Sequence, residues 1–288
     1  MIKASSEIWN EISVTNNLEF EFHDLGTRQP FTIIVAKDVF KYPDKVREFL
    51  LTFPYWATKD IEESDTTVRP GLTAEIPPLF QTQFYKFLTN PVKKILGVNT
   101  IAVRDGYVNL EGGNMTLDRS SCSCCYPHVD NELDDPDYLQ MHIAANINLS
   151  QSPDPVRTGF WSWMGRNNWM DMNRDEANAL SNFYERHEDS KADSWFQMED
   201  YENFRLEDAV EMQYNDLVMY STMQFHNPYI QPEWHRDYDR MMLTAFLTVY
   251  PDALDFPDSD LSTVGATWEA FRLNSVHNYH PQYTSVLN

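Results

Sequence analysis

Apolar and polar residues alternate at the start of the chain. Over residues 18–23, Leu18, Phe20 and Phe22 interleave with Glu19, Glu21 and His23, the period of a half-buried strand. Residues 31–36 form a β-branched run and predict a second strand, after a turn at Asp24, Leu25 and Gly26. The spacing then lengthens. Residues 44–51 have helical periodicity, ended by Pro54, and Phe80, Phe84 and Leu88 repeat every four positions, predicting a helix over 78–88. Pro91 opens a shorter helix that closes at Gly97, and the polar stretch 57–75 contains the turn signal Arg69, Pro70, Gly71.

From residue 100 onward strand patterns dominate. Segments 100–104 and 107–110 predict two short strands. In 139–149, Met141, Ile143, Ala145, Ile147 and Leu149 share one face, with His142, Asn146 and Asn148 on the other. Residues 159–164 are a compact aromatic strand, either packed in the core or lining a pocket. A helix is predicted over 173–187, with Ala177, Leu180 and Phe183 on one side. Residues 202–211 lead into the apolar run 217–220, and 241–250 is a last apolar strand. The tail beyond Pro251, rich in Asp, Ser, Asn and Pro, is expected to wrap the surface. Short strands separated by turns predict a mainly β fold with flanking helices, an antiparallel double-sheet barrel of the double-stranded β-helix (jelly-roll) kind. With no repeat or linker, residues 1–288 are expected to form one domain. Residues 1–99 would be a mixed α/β bracing region and 100–250 the catalytic core.

Composition narrows the function. With 44 acidic and 22 basic residues the net charge is -22, which disfavours nucleic acid and anionic lipid as partners. No apolar run approaches the roughly 18 residues of a membrane span, and the N-terminus lacks a signal-peptide core, so a cytoplasmic location is expected. Cys122, Cys124 and Cys125 lack the spacing and the fourth ligand of a zinc site and are expected to be reduced thiols.

The candidate chemistry starts at His128 and Asp130. On a strand, residues two apart share a face, so an imidazole and a carboxylate are presented together. These are two members of the 2-His-1-carboxylate triad that binds Fe(II) and leaves positions open. About a hundred residues later His226 follows the apolar run 217–220, just before a turn. Fourteen positions further on, Arg240 opens the last apolar strand, where its planar fork suits a carboxylate. Arg240 could instead pair with Asp237 or Asp239, and His235 with Arg236 is a rival pair in a polar loop.

The order H-x-D, distal His, then Arg resembles the 2-oxoglutarate/Fe(II)-dependent oxygenase superfamily over residues 100–250, in particular its poorly characterised bacterial and phage members. The resemblance implies an Fe(II) dioxygenase, with O2 and 2-oxoglutarate as cosubstrates. It would hydroxylate or otherwise oxidise a small-molecule, amino-acid or peptide substrate. His128, Asp130 and His226 would be the metal ligands, and Arg240 would anchor the distal carboxylate of 2-oxoglutarate. Two departures stand out. The His-to-Arg gap is long, implying an inserted loop through 228–232, and Met242 occupies the position of the usual Ser or Thr. Thr244, Tyr126 and Asn148 are left as candidates for the second hydrogen bond to the carboxylate. In halogenating relatives a small residue replaces the acid, so Asp130 implies oxygenation. The alternatives are a non-catalytic jelly-roll binding or structural protein, and a cupin-like metalloenzyme that does not use 2-oxoglutarate.

Overall fold

The computed structural model describes residues 18–26, 31–52, 56–57, 72–75, 88, 101–112, 127–130, 141–166, 172–187, 200–201, 203–229, 234 and 238–249. In chain order the strands and helices are β1 (Phe20–Leu25), β2 (Phe31–Ala36), α1 (Pro43–Leu50), β3 (Trp56–Ala57), β4 (Leu72–Glu75), β5 (Ile101–Gly112), β6 (Met141–Asn148) and β7 (Val156–Trp163). There follow α2 (Arg174–His187), β8 (Asp200–Tyr201), β9 (Phe204–Met212), β10 (Leu217–Ser221), β11 (His226–Pro228) and β12 (Asp239–Val249).

These strands form two antiparallel sheets. One has eight strands in the order β1-β2-β10-β6-β12-β5-β4-β3, the other four in the order β11-β7-β9-β8. From β5 onward the chain crosses repeatedly between the sheets, and apolar side chains from both inner faces interdigitate between them. The fold is mainly β with flanking helices and is jelly-roll-like. Strands of the first hundred residues continue the large sheet: β2 pairs with β10, and β4 pairs with β5. Among the described residues no helix is long and apolar enough to cross a membrane.

Alternation decides which residues enter the sandwich. Phe31, Ile33 and Val35 of β2, Val218 and Tyr220 of β10, Ala144 of β6 and Met242 of β12 meet Val156, Phe160 and Met212 of the small sheet. Arg240 and Thr244 share the face of Met242 by the two-residue period. The opposite face of the large sheet carries Ile143, Ala145, Ile147, Met219 and Leu243, all buried.

Helix α2 covers the outer face of the small sheet. Its start is a reciprocal cap. The Asn173 side chain accepts from the backbone N–H groups of Asp175 and Glu176 (2.9 and 3.0 Å), while the Glu176 carboxylate accepts from the Asn173 N–H (2.9 Å). Leu180 and Phe183 then pack against Trp161, Trp163, Phe204 and Phe225.

Two local expectations change and one open alternative is decided. Segments 100–104 and 107–110 are one strand, β5, whose register against β12 slips between Phe246 and Leu247. A bulge lets a long strand absorb the polar Arg104 and Asp105 without ending. The stretch 57–75 contains the short strands β3 and β4, supported by pairing with β5 rather than by their own composition. Trp161 and Trp163 are core residues, about 1% and 0% exposed, and not pocket walls. The helix expected over 78–88 lies outside the described residues except for Leu88. The one expected at 91–97, the cysteines and the tail lie outside them entirely.

Candidate metal centre

His226 opens β11, where its register partner is Phe160 of β7. Cross-strand partners share a face, so His226 points into the sandwich. The Tyr220 ring lies 4.6 Å from the His226 ring and 5.2 Å from Phe160, centroid to centroid. A tight turn brings the chain from β10 to this point. The Gln224 N–H donates to the Ser221 carbonyl (3.0 Å), and the Gln224 side chain donates to the Trp161 carbonyl (3.3 Å).

The segment 127–130 adds to the free edge of β11. The His128 and His226 backbones exchange hydrogen bonds in both directions (2.9 and 3.0 Å), and the Asp130 N–H donates to the Thr222 carbonyl (2.9 Å). This pairing sets the two imidazoles 4.7 Å apart, centroid to centroid, with their planes tilted by 52°. It also sets the carboxylate between them, with His226 Nε2 3.2 Å from Asp130 Oδ2 and His128 Nε2 3.7 Å from Asp130 Oδ1.

One ligand atom from each of His128, Asp130 and His226 lies within 4.8 Å of the other two. Metal bonds to N and O of about 2.1 Å, meeting at right angles, place adjacent donors about 3 Å apart. The pairs at 3.2 and 3.7 Å stand near that spacing, and all three atoms, within 4.8 Å, would draw together around an ion. The ring orientation of His226 is fixed as well, because its Nδ1 lies 2.9 Å from the Gln224 carbonyl. A carbonyl only accepts, so Nδ1 carries a proton, and Nε2 is the ring nitrogen turned toward the Asp130 carboxylate. Metal-ligating histidines are commonly oriented this way. Two imidazoles and one carboxylate make a donor set suited to a divalent first-row metal such as iron.

The other sequence candidates are more scattered. Arg240 is buried near the start of β12, opposite Glu111 in the register with β5. Phe246, six residues further along the same face, aligns through Ala144 with Tyr220, so the Arg240 backbone lies earlier along β12 than the level of Tyr220. Between them, the Thr244 hydroxyl donates to Asn146 Oδ1 (2.8 Å) and the Asn146 amide donates to the Tyr220 hydroxyl (3.0 Å). This polar chain runs across the inner face of the large sheet to the ring that packs on His226. Asn148 has both amide atoms engaged: Nδ2 donates to the Met212 carbonyl (3.0 Å) and Oδ1 accepts from the Ser150 N–H (2.9 Å). Tyr126, Arg236 and most of the loop 228–232 lie outside the described residues.

The sequence did not single out Gln224, Thr222, Tyr220 or Tyr184. Their roles come from a backbone carbonyl, a ring face or a hydroxyl brought in by tertiary contact, and residue type leaves no trace of these. Asn146 did leave one, as a polar residue on the face opposite Ile143, Ala145 and Ile147.

Residues 16–247 match DUF6445, described as a family of unknown function. The chain belongs to the DUF6445 family. No curated protein matches this DUF6445 chain. Its fold is similar to that of HygX from Streptomyces hygroscopicus, solved with nickel and 2-oxoglutarate bound. That likeness has 15% identity and a TM-score of 0.45, and covers 90% of this chain and 96% of HygX. It is also similar to SnoK, a non-heme α-ketoglutarate-dependent carbocyclase from nogalamycin biosynthesis (12% identity, 86% and 84% coverage, TM-score 0.42). A third likeness is to the Kdo hydroxylase KdoO, a non-heme Fe(II) α-ketoglutarate-dependent dioxygenase (12%, 75% and 85%, TM-score 0.34). Likenesses this loose carry no argument about the activity of the DUF6445 chain.

The backbone around His226 has little slack. A Cβ at Gly159, the register partner of Asn227, would lie 2.7 Å from Asn227 Oδ1 and 2.9 Å from Trp161 Nε1. Those two atoms hydrogen-bond each other at 2.7 Å. Gly159→Ala is therefore expected to cost about 1–3 kcal/mol, as overpacking does, and to loosen β11 against β7. Calorimetry should show a lowered Tm; an unchanged Tm would mean that Asn227 moves aside freely.

Proposed function

We propose that this protein is a non-haem Fe(II)- and 2-oxoglutarate-dependent dioxygenase that hydroxylates, or otherwise oxidises, a small-molecule, amino-acid or peptide substrate. The observation that carries this reading is the gathering of His128, Asp130 and His226 on one inward-facing edge, with Nε2 of His226 presented by the Gln224 carbonyl. Bound there, ferrous iron would supply the coupling of O2 reduction to decarboxylation of 2-oxoglutarate, giving succinate and CO2 and oxidising a substrate C–H bond.

The residues of this chain do the rest. Asp130 and the two imidazoles would hold the metal and leave its other positions for cosubstrates. Arg240, on the inner face of β12, offers its fork to the distal carboxylate of 2-oxoglutarate. Of the candidates for the second contact, Asn148 has its amide and Thr244 its hydroxyl proton engaged within the fold; Thr244 shares the face of Arg240 and would have to turn its hydroxyl from Asn146 to the carboxylate. Phe160 and Tyr220 form an aromatic floor that keeps water away from the His226 imidazole.

Purified protein supplied with Fe(II), 2-oxoglutarate and O2 is expected to form succinate, and chelation is expected to stop it. Metal binding without 2-oxoglutarate consumption would favour a cupin-like enzyme, and no metal binding would favour a non-catalytic jelly roll. Because Asp130 keeps its coordination position, turnover in excess chloride should yield oxygenated or desaturated products. A chlorine isotope pattern in the product mass spectrum would overturn that expectation.

A further inference from the structure

Helix α2 reaches the ligand-bearing segment from behind. The Tyr184 hydroxyl donates a short hydrogen bond to the carbonyl of Pro127, the peptide that leads directly into His128. Val129 alternates with the two ligands and turns away from them, into the cluster that Trp161, Trp163, Leu180 and Phe183 form. Tyr184 is itself wedged against Phe183 and Phe204, with ring centroids 5.6 and 6.5 Å away. Burial pushes its phenol far above the ordinary tyrosine range, so the hydroxyl keeps its proton and remains a donor.

The three ligands differ in how firmly they are held. The side chain of His226 is 6% exposed and that of Asp130 13%, whereas that of His128 is 31% exposed. The imidazole of His128 is thus the least enclosed of the three. The His128 backbone is tied on one side to His226, and the peptide before it to Tyr184.

We propose that Tyr184 is a positioning residue for the metal centre: its hydroxyl holds the Pro127 peptide so that His128 meets the ion at the angle set by Asp130 and His226. This rests on the metal reading above. Groups that orient ligands from outside the coordination sphere commonly change metal affinity by about 10- to 100-fold when removed.

The test uses Tyr184→Phe, which keeps the ring and removes only the hydroxyl, with Mn(II) and Co(II) as probes. Tyr214→Phe is the matched control. It deletes a phenol that donates to Asp44 (2.8 Å), at the end of β10 away from the turn into β11. In Tyr184→Phe the Kd for Mn(II) should rise at least about tenfold, and the visible spectrum of bound Co(II) should shift with the changed ligand geometry. The amides of His128 and Asp130 should exchange faster in the metal-free protein, with that of Leu149, which donates to the Met241 carbonyl in the large sheet (2.9 Å), unchanged. Tyr214→Phe should alter none of these. Wild-type Mn(II) affinity and Co(II) spectrum in Tyr184→Phe would overturn the role of Tyr184, as would equal effects in both variants. Wild-type protein that binds no Mn(II) would instead overturn the metal reading itself.

Discussion

Replacing His226 with alanine is expected to abolish tight Fe(II) binding and to leave the fold standing. His226 is the most buried of the three ligands, and its Nε2 lies 3.2 Å from the Asp130 carboxylate. Removing it takes away a ligand whose direction the Gln224 carbonyl has already set. Loss of a group that merely orients a ligand costs about 10- to 100-fold in affinity, so loss of a ligand should exceed that range. The backbone of residue 226 still pairs with His128 and with Phe160 of β7, so circular dichroism and thermal melting should report a folded protein. His128→Ala should behave alike, with a milder effect on stability because its side chain is more exposed. Titration calorimetry with Fe(II) or Mn(II) under anaerobic conditions decides the matter: unchanged affinity in both variants would falsify the ligand assignment.

Arg240→Ala should raise the 2-oxoglutarate concentration needed for turnover by at least about tenfold while metal affinity stays near wild type. A charge-assisted bidentate pair lost in a buried place costs on the order of 2–5 kcal/mol, much of it from the carboxylate left unpaired. About 1.4 kcal/mol already corresponds to a factor of ten. Arg240 is buried on the same face of β12 as Met242 and Thr244, facing the interior of the sandwich. The split between cosubstrate and metal is the informative part, because a general loss of packing would weaken both. A normal 2-oxoglutarate requirement in this variant would move the anchor to another residue, with Arg236 next to be tested.

Much of the fold was legible in the sequence because its signals are local. The alternation in 18–23 and 139–149, the run 31–36, the helix over 173–187 and the apolar strand from 241 all correspond to elements within a few residues. Period two or period 3.6 is a property of neighbouring side chains, and a chain with a large core to bury obeys it closely. The site was legible in outline for a related reason. His128 and Asp130 are two apart on an extended segment, which fixes their shared face without any tertiary contact.

Tertiary structure alone decided the rest. That His226 stands beside His128 follows from an edge-to-edge backbone pairing across about a hundred residues, and no local pattern encodes which edge meets which. The ring orientation of His226 depends on a carbonyl, a group every residue carries, so Gln224 could not be found from its type. The aromatic strand was ambiguous in sequence because core and pocket use the same side chains. It became core only when α2 closed over Trp161 and Trp163. The short β3 and β4 have too few residues for a period and exist through hydrogen bonds lent by β5. The residue types were written along the chain, and the geometry that turns them into a candidate metal centre arises where distant strands share hydrogen bonds.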